Sequence, residues 1–203
     1  CMNNSSFFDL TKPIVLSTSV VELRPLQEAD YELLLPFALN EPELWTYSLV
    51  SAAGEAGLKN YLQIALNAKN QLREYPFIVF DKRTQQYAGS TRYYDIQLPM
   101  QTLQLGYTWY GKQFQGTGLN THCKYLLLAH AFENMGIERV EFRADANNAK
   151  SIRAMKKIGC IEEGILRSNT PKLTGGRRDS IVLSILKQEW VEKIKPMSEE
   201  KIR

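Results

Sequence analysis

The chain is 203 residues long, with 44% hydrophobic, 10% aromatic and 23% charged residues, a balance that suits one globular domain and excludes a disordered or fibrous chain. The formal charge of +3 is spread without long Lys/Arg clusters, so no nucleic-acid partner is expected. Cys1, Cys123 and Cys160 are odd in number and lack CxxC spacing, which predicts neither a disulfide framework nor a metal site and makes a reducing cytoplasm the simplest setting. No apolar run approaches the roughly 20 residues of a membrane span, so no membrane partner is expected. Cys1, ahead of Met2, is set aside from functional reasoning.

In chain order, Val20, Val21, Glu22 and Leu23 read as a first strand that stops at Arg24 and Pro25. A helical pattern through Ala29, Leu33, Leu34 and Phe37 follows, then a stretch from Asn40 to Ser51 carrying Pro42, Trp45 and Tyr47, then a second helix through Leu58, Tyr61, Leu62, Ala65 and Leu66. The aromatics between these helices either line a pocket or cap the core. Phe77 to Phe80, Tyr87 to Tyr94 and Leu103 to Tyr110 have strand character and predict an antiparallel meander, with a hairpin at Asp81 to Gln86.

After that meander the chain runs through Gly111 to Gly118 into a long helix carrying Leu119, Cys123, Leu126, Leu127 and Ala131, which ends near Gly136. Arg139 to Ala144 (strand), Asn148 to Ile158 (helix) and Cys160 to Arg167 (extended) favour two neighbouring parallel strands joined by a crossover helix. Asp179 to Leu186 reads as a closing strand, and Gln188 to Ile194 as a short terminal helix. No repeat or linker interrupts residues 1–203, which read as one domain with its core at about 20–190 and tails at 1–12 and 195–203.

The feature that carries chemistry is Gln113-Phe114-Gln115-Gly116-Thr117-Gly118, a Q-x-x-G-x-G loop between strand and helix. Unpaired N–H groups and the helix dipole favour an anion there, and glycines at 116 and 118 let backbone approach phosphate oxygens closely. Thr117 adds a hydroxyl, and Leu119 and Asn120 extend the N–H series. The loop is not a P-loop, lacking the Gly-Lys-Ser/Thr ending, and the third glycine of a dinucleotide fingerprint is absent.

Two runs, LGYTWYGKQFQGTGLNTHCKYLLLAHAFENMGIERVEF and NNAKSIRAMKKIGCIEEGILR, resemble the coenzyme-A-binding core of the GNAT acyltransferases, and more narrowly the RimJ/RimL-type branch, over roughly Val21 to Trp190. The resemblance implies an α+β fold with a central, mixed but mostly antiparallel sheet of about seven strands, flanked by helices and holding a splayed parallel pair in the middle. It implies acetyl-coenzyme A as co-substrate and an amine acceptor, a protein N-terminus or a small molecule, with no metal. Gln113, Gly116, Thr117, Gly118, Leu119 and Asn120 look like the pyrophosphate loop. Tyr107, Thr108 and Trp109 look like the strand that pairs with the pantetheine arm and polarises the thioester carbonyl. Asn148 and Ser151 match an N-x-x-S element that touches the arm; the plainer alternative is a helix cap at Asn147 or Asn148, and a cap and a cofactor contact are compatible. Trp45, Tyr47 and Tyr93 are the candidate substrate pocket.

Two positions depart from the family's pattern. Where many relatives carry a tyrosine acid this chain has Met155, which leaves Ser151 as the candidate catalytic residue. Where many carry a glutamate base it has Gln104, so proton removal falls to Asp95, to a water chain or to solvent. These departures keep open the alternative of a non-catalytic module that binds coenzyme A or acyl-coenzyme A. His122 and His130 read as packing or surface residues, and Cys123 as buried. The late strands of such folds also offer an edge for a homodimer.

Overall fold

The computed structural model describes residues 6–203; residues 1–5, within the expected N-terminal tail, lie outside the described residues. Its strands are β1 (Leu16–Ser17), β2 (Val21–Pro25), β3 (Tyr75–Asp81), β4 (Gln86–Gln97), β5 (Thr102–Tyr110), β6 (Arg139–Asp145), β7 (Ile161–Pro171) and β8 (Arg177–Leu186). They form one sheet in the order β1-β2-β3-β4-β5-β6-β8-β7. Every neighbouring pair is antiparallel except β5 and β6. The eighth strand beyond the expected seven is β1, two residues long and without a sequence signal of its own.

The predicted parallel neighbours require a correction. β6 and β7 are separated by β8, which pairs with both of them. The helix between them, α4 (Ala149–Lys157), therefore carries the chain across an inserted strand.

The other helices are α1 (Tyr31–Asn40), α2 (Gly54–Asn70), α3 (Leu119–Ala129), α5 (Lys187–Glu189) and α6 (Lys195–Lys201), with a π turn at Trp190–Ile194 joining the last two. Successive residues on a strand face opposite sides of a sheet. On β4, Tyr93 donates its hydroxyl to the Leu127 carbonyl of α3 at 2.5 Å, whereas the Arg92 guanidinium lies 5.0 Å from the ring centre of Tyr61 on α2. Hence α2 and α3 cover opposite faces of the sheet.

Both segments read as tails are anchored where described. Leu10 and Ile14 are buried in the core, and the Ile14 N–H donates to the Tyr75 hydroxyl at 2.8 Å. At the other end Pro196 sits in the first turn of α6, where proline needs no N–H partner, and the segment is tied down by Lys195 pairing with Glu133 and by the Tyr125 hydroxyl of α3 donating to Glu199 at 3.2 Å.

Candidate functional site

The site begins with the one parallel pair. β5 and β6 are paired only over Thr102–Gln104 and Arg139–Glu141, and then diverge. β6 stays in register with β8 from Arg139 to Asp145, so β5 is the strand that leaves. A bulge in β5 accounts for it: Ser90 pairs with Trp109 and Arg92 with Gly106, so Tyr107 and Thr108 together oppose Thr91, and Tyr107 adopts a left-handed φ of 49°. Bulges bend a strand and increase its twist. The result is a V-shaped opening between Leu105–Tyr110 and Phe142–Asp145, with sheet edges inside the molecule that face no partner strand.

The glycine loop closes the wide end of that V. Gly116 and Gly118 have φ of 72° and 86°, conformations costly for other residues, and a side chain at either would meet nothing within 4 Å. Gly118 is the N-cap of α3, which has neither a side-chain cap nor an acidic residue in its first turn. Among the described residues the N–H groups of Gly116, Thr117, Gly118, Leu119 and Asn120 make no hydrogen bond. Thr117 donates its hydroxyl to the Phe114 carbonyl at 2.6 Å, while Asn120 accepts from the Tyr110 hydroxyl at 2.9 Å.

Two cations flank these donors. Arg83 donates to the Thr117 carbonyl at 2.8 Å, and Lys150, at the start of α4, donates to Gln115 Oε1 at 2.6 Å. Gln115 in turn donates to the Tyr110 carbonyl at 2.9 Å, spanning the mouth of the V. Free N–H groups, a helix N-terminus and two cations at one place suit an oxyanion. Gln113 is exposed and turned to the neighbouring hairpin, where it donates to Gln86 at 2.8 Å.

On the α3 side, Asn148 caps α4 by accepting from the Ser151 N–H at 3.2 Å. Ser151 is half-buried, its hydroxyl making no bond among the described residues, and Met155 is buried one turn on. Thr108 shares a 2.8 Å hydrogen bond with Thr91 and accepts from Lys124 of α3 at 3.0 Å. Lys124 is buried, and burial pulls its pKa down to about 8. Burial also pushes the Cys123 and Cys160 thiols up to about 12, which disqualifies them as nucleophiles at neutral pH. His122 shares a hydrogen bond with Thr18, and His130 one with Asn134.

On the α2 side the pocket differs from expectation. Trp45 is buried against Trp109, ring centres 4.9 Å apart, and Tyr93 is buried facing α3, so both are core residues rather than pocket walls. Tyr94, the neighbour of Tyr93, faces the opening and meets Tyr107 edge to face at 4.9 Å. Behind Tyr107 lies the Arg92 guanidinium, 4.1 Å from its ring centre and 2.8 Å from Glu74. Tyr47 is exposed, and its carbonyl accepts from Arg178 at 3.4 Å.

Gln104 is buried; its amide donates to Asp95 at 3.0 Å, and its Oε1 is left without a donor among the described residues. Directly opposite, Glu141 accepts from Arg139 and Arg143, each at 2.8 Å. Sequence reasoning did not single out Lys124, Glu141 or Arg178. Lys124 follows Cys123 on the apolar side of α3, and Arg178 shares the parity of Ser180, Val182 and Ser184 on β8, all buried. A charge at an inward position was the available signal.

Known proteins resemble this chain in sequence and in fold. A family model described as an acetyltransferase (GNAT) domain matches residues 21–161. The Bacillus subtilis protein named "Putative ribosomal N-acetyltransferase YdaF" is 36% identical over 87 residues, a match spanning 43% of this chain and only 46% of YdaF. A solved "putative acetyltransferase" from T. thermophilus is 30% identical with a TM-score of 0.84, over 95% of this chain and 98% of that one. A GCN5-related N-acetyltransferase from Brucella melitensis has the same fold, with a TM-score of 0.87 at 22% identity over 98% and 90% of the two chains. Among the described residues no helix is long and apolar enough to cross a membrane, and no group of His, Cys, Asp and Glu is arranged to hold a metal.

Proposed function

Because the chain belongs to the GNAT acetyltransferase family and is thus an acyltransferase, we propose that it moves an acetyl group from acetyl-coenzyme A to a primary amine by direct attack in a ternary complex. The observation that carries this reading is the continuity of the unpaired β5 edge with the free N–H groups of Gly116 to Asn120. An extended arm bearing amides fits the edge as an added strand. A pyrophosphate fits the N–H groups, with Arg83 and Lys150 beside it.

Acetyl-coenzyme A supplies an activated acetyl thioester. In this reading a backbone N–H between Tyr107 and Trp109, turned by the bulge, polarises the acetyl carbonyl. The acceptor enters from the α2 side, where the orphaned Gln104 Oε1 suits an amine N–H. A nitrogen–carbon bond forms and the carbon–sulfur bond breaks. The amine's proton leaves through Asp95 or water, and Ser151 relays a proton from water to the departing sulfur, regaining its own as it gives it. An α-amino group of pKa about 8 is neutral often enough to attack without a strong base, and positioning supplies much of the rate.

The name carried by YdaF, a ribosomal N-acetyltransferase, supports a ribosomal component as the source of the amine, and that match spans less than half of YdaF. As an edge strand with Ile161 and Ile165 exposed, β7 supports a homodimer. The direct experiment measures thiol release from acetyl-coenzyme A with a panel of small amines and N-terminal peptides. Amine-dependent thiol release with an acetylated product is expected. Hydrolysis alone, or no release with any acceptor, contradicts the proposal.

A further inference from the structure

The α2 side of the opening contains a buried cation that the acyl-transfer chemistry leaves unused. Arg178 is 7% exposed and lies on β8 behind Tyr94 and Tyr107. Its Nε donates to Ser180 Oγ at 3.0 Å and its Nη1 to the Tyr47 carbonyl at 3.4 Å. Its Nη2 makes no hydrogen bond, and no carboxylate pairs with it, among the described residues. The other buried arginine, Arg92, is paired with Glu74 at 2.8 Å.

The groups acting on Arg178 are Asp145, Tyr94, Tyr107 and Arg143. Asp145 stands beyond ion-pairing distance, with Oδ1 accepting from the Asn147 N–H at 2.9 Å. Glu141 has both oxygens committed to Arg139 and Arg143. Burial therefore prevails over these neighbours and lowers the Arg178 pKa from its ordinary value, yet a guanidinium remains charged at neutral pH. A buried guanidinium without a counter-charge is a costly arrangement, and a fork with one free arm suits a carboxylate.

We propose that Arg178 docks a carboxylate carried by the acceptor beside its amine, so that the enzyme selects anionic amines. The inference rests on the amine-transfer reading above and names the acceptor class within it. Two sources carry this chemistry, the α-carboxylate of a free amino acid and the side chain of an acidic residue next to a peptide N-terminus.

The test uses acceptor pairs that exchange a carboxylate for its amide, serine against serinamide and Ser-Glu-amide against Ser-Gln-amide, with KM referred to the neutral amine because an adjacent α-carboxylate raises amine basicity. Thiol release gives kcat and KM for each with wild-type enzyme, R178Q and R178K, and calorimetry of coenzyme A reports whether each variant keeps its fold and cofactor site. A hydrogen-bonded charge contact is worth about 10- to 100-fold, so wild type is expected to favour the carboxylate member of one pair by at least about tenfold, mostly through KM. The pair that responds identifies the source. In R178Q the ratio is expected to fall to near one, with R178K between.

Equal rates within both wild-type pairs, or a preference that survives in R178Q, overturn the inference and leave amine acetylation standing. If R178Q does not fold, the wild-type ratios and R178K decide. Transfer to no acceptor at all overturns this inference together with the reading on which it rests.

Discussion

Replacing Lys124 with Met removes a buried charge while keeping most of the side-chain volume. The ammonium is 7% exposed, is 3.0 Å from Thr108 and lies over the Phe142 ring at 6.0 Å, with no carboxylate partner among the described residues. Burial lowers its pKa from 10.5 to about 8. A tenfold change in a proton equilibrium is about 1.4 kcal/mol, so keeping this group charged at pH 7 costs about 3 kcal/mol of folding stability. The sign follows from proton counts. Below about pH 8 folded and unfolded chains both hold the proton and the penalty is complete. Between about pH 8 and pH 10.5 only the unfolded chain holds it, so wild-type stability rises with pH and the penalty fades.

Thr108 keeps its bond to Thr91 in the variant, so little is lost in exchange. Denaturant unfolding of both proteins at pH 7 and pH 10 measures the difference, in which every other titrating group cancels. Lys124→Met is expected to be more stable by about 3 kcal/mol at pH 7 and to lose most of that advantage by pH 10. A variant less stable than wild type at pH 7, or an advantage unchanged at pH 10, refutes the reasoning.

Gly116→Asp sets a carboxylate against the pyrophosphate position in open space; calorimetry should find coenzyme-A affinity down at least about tenfold, with the melting temperature lowered only by the left-handed strain of about 1 kcal/mol. Ser151→Ala is expected to lower kcat without changing coenzyme-A affinity, and equal losses in both would make Ser151 a binding residue only. Asn148→Ala removes the cap on α4 and is expected to cost about 1 kcal/mol in denaturant unfolding; an unchanged midpoint would mean that the bond to Ser151 contributes nothing.

The strands of the meander, the glycine loop and α3 were legible because alternation and turn chemistry are local. The loop's glycines adopt the left-handed angles that their residue type anticipates. The order of β6, β8 and β7 was not legible, because β8 arrives from the end of the chain and nothing in residues 139–167 encodes a strand to be inserted later. Pocket residues failed for a related reason. Tyr93 and Tyr94 are adjacent on β4 and face opposite sides, and only the bond from Tyr93 to α3 settles which is which. Trp45 ends a short helical turn, Pro42–Trp45, and its ring is buried in the core. Lys124 and Arg178 are charges whose burial arises from packing between distant elements, which residue type alone argues against.

The opening between β5 and β6 as the seat of coenzyme A is tested most directly by hydrogen–deuterium exchange with and without coenzyme A. Slowed exchange confined to the amides of Leu105 to Tyr110 and Gly116 to Asn120, with the β3–β4 hairpin unchanged, is the predicted result. Binding without protection at those amides, or protection centred elsewhere in the sheet, would contradict it.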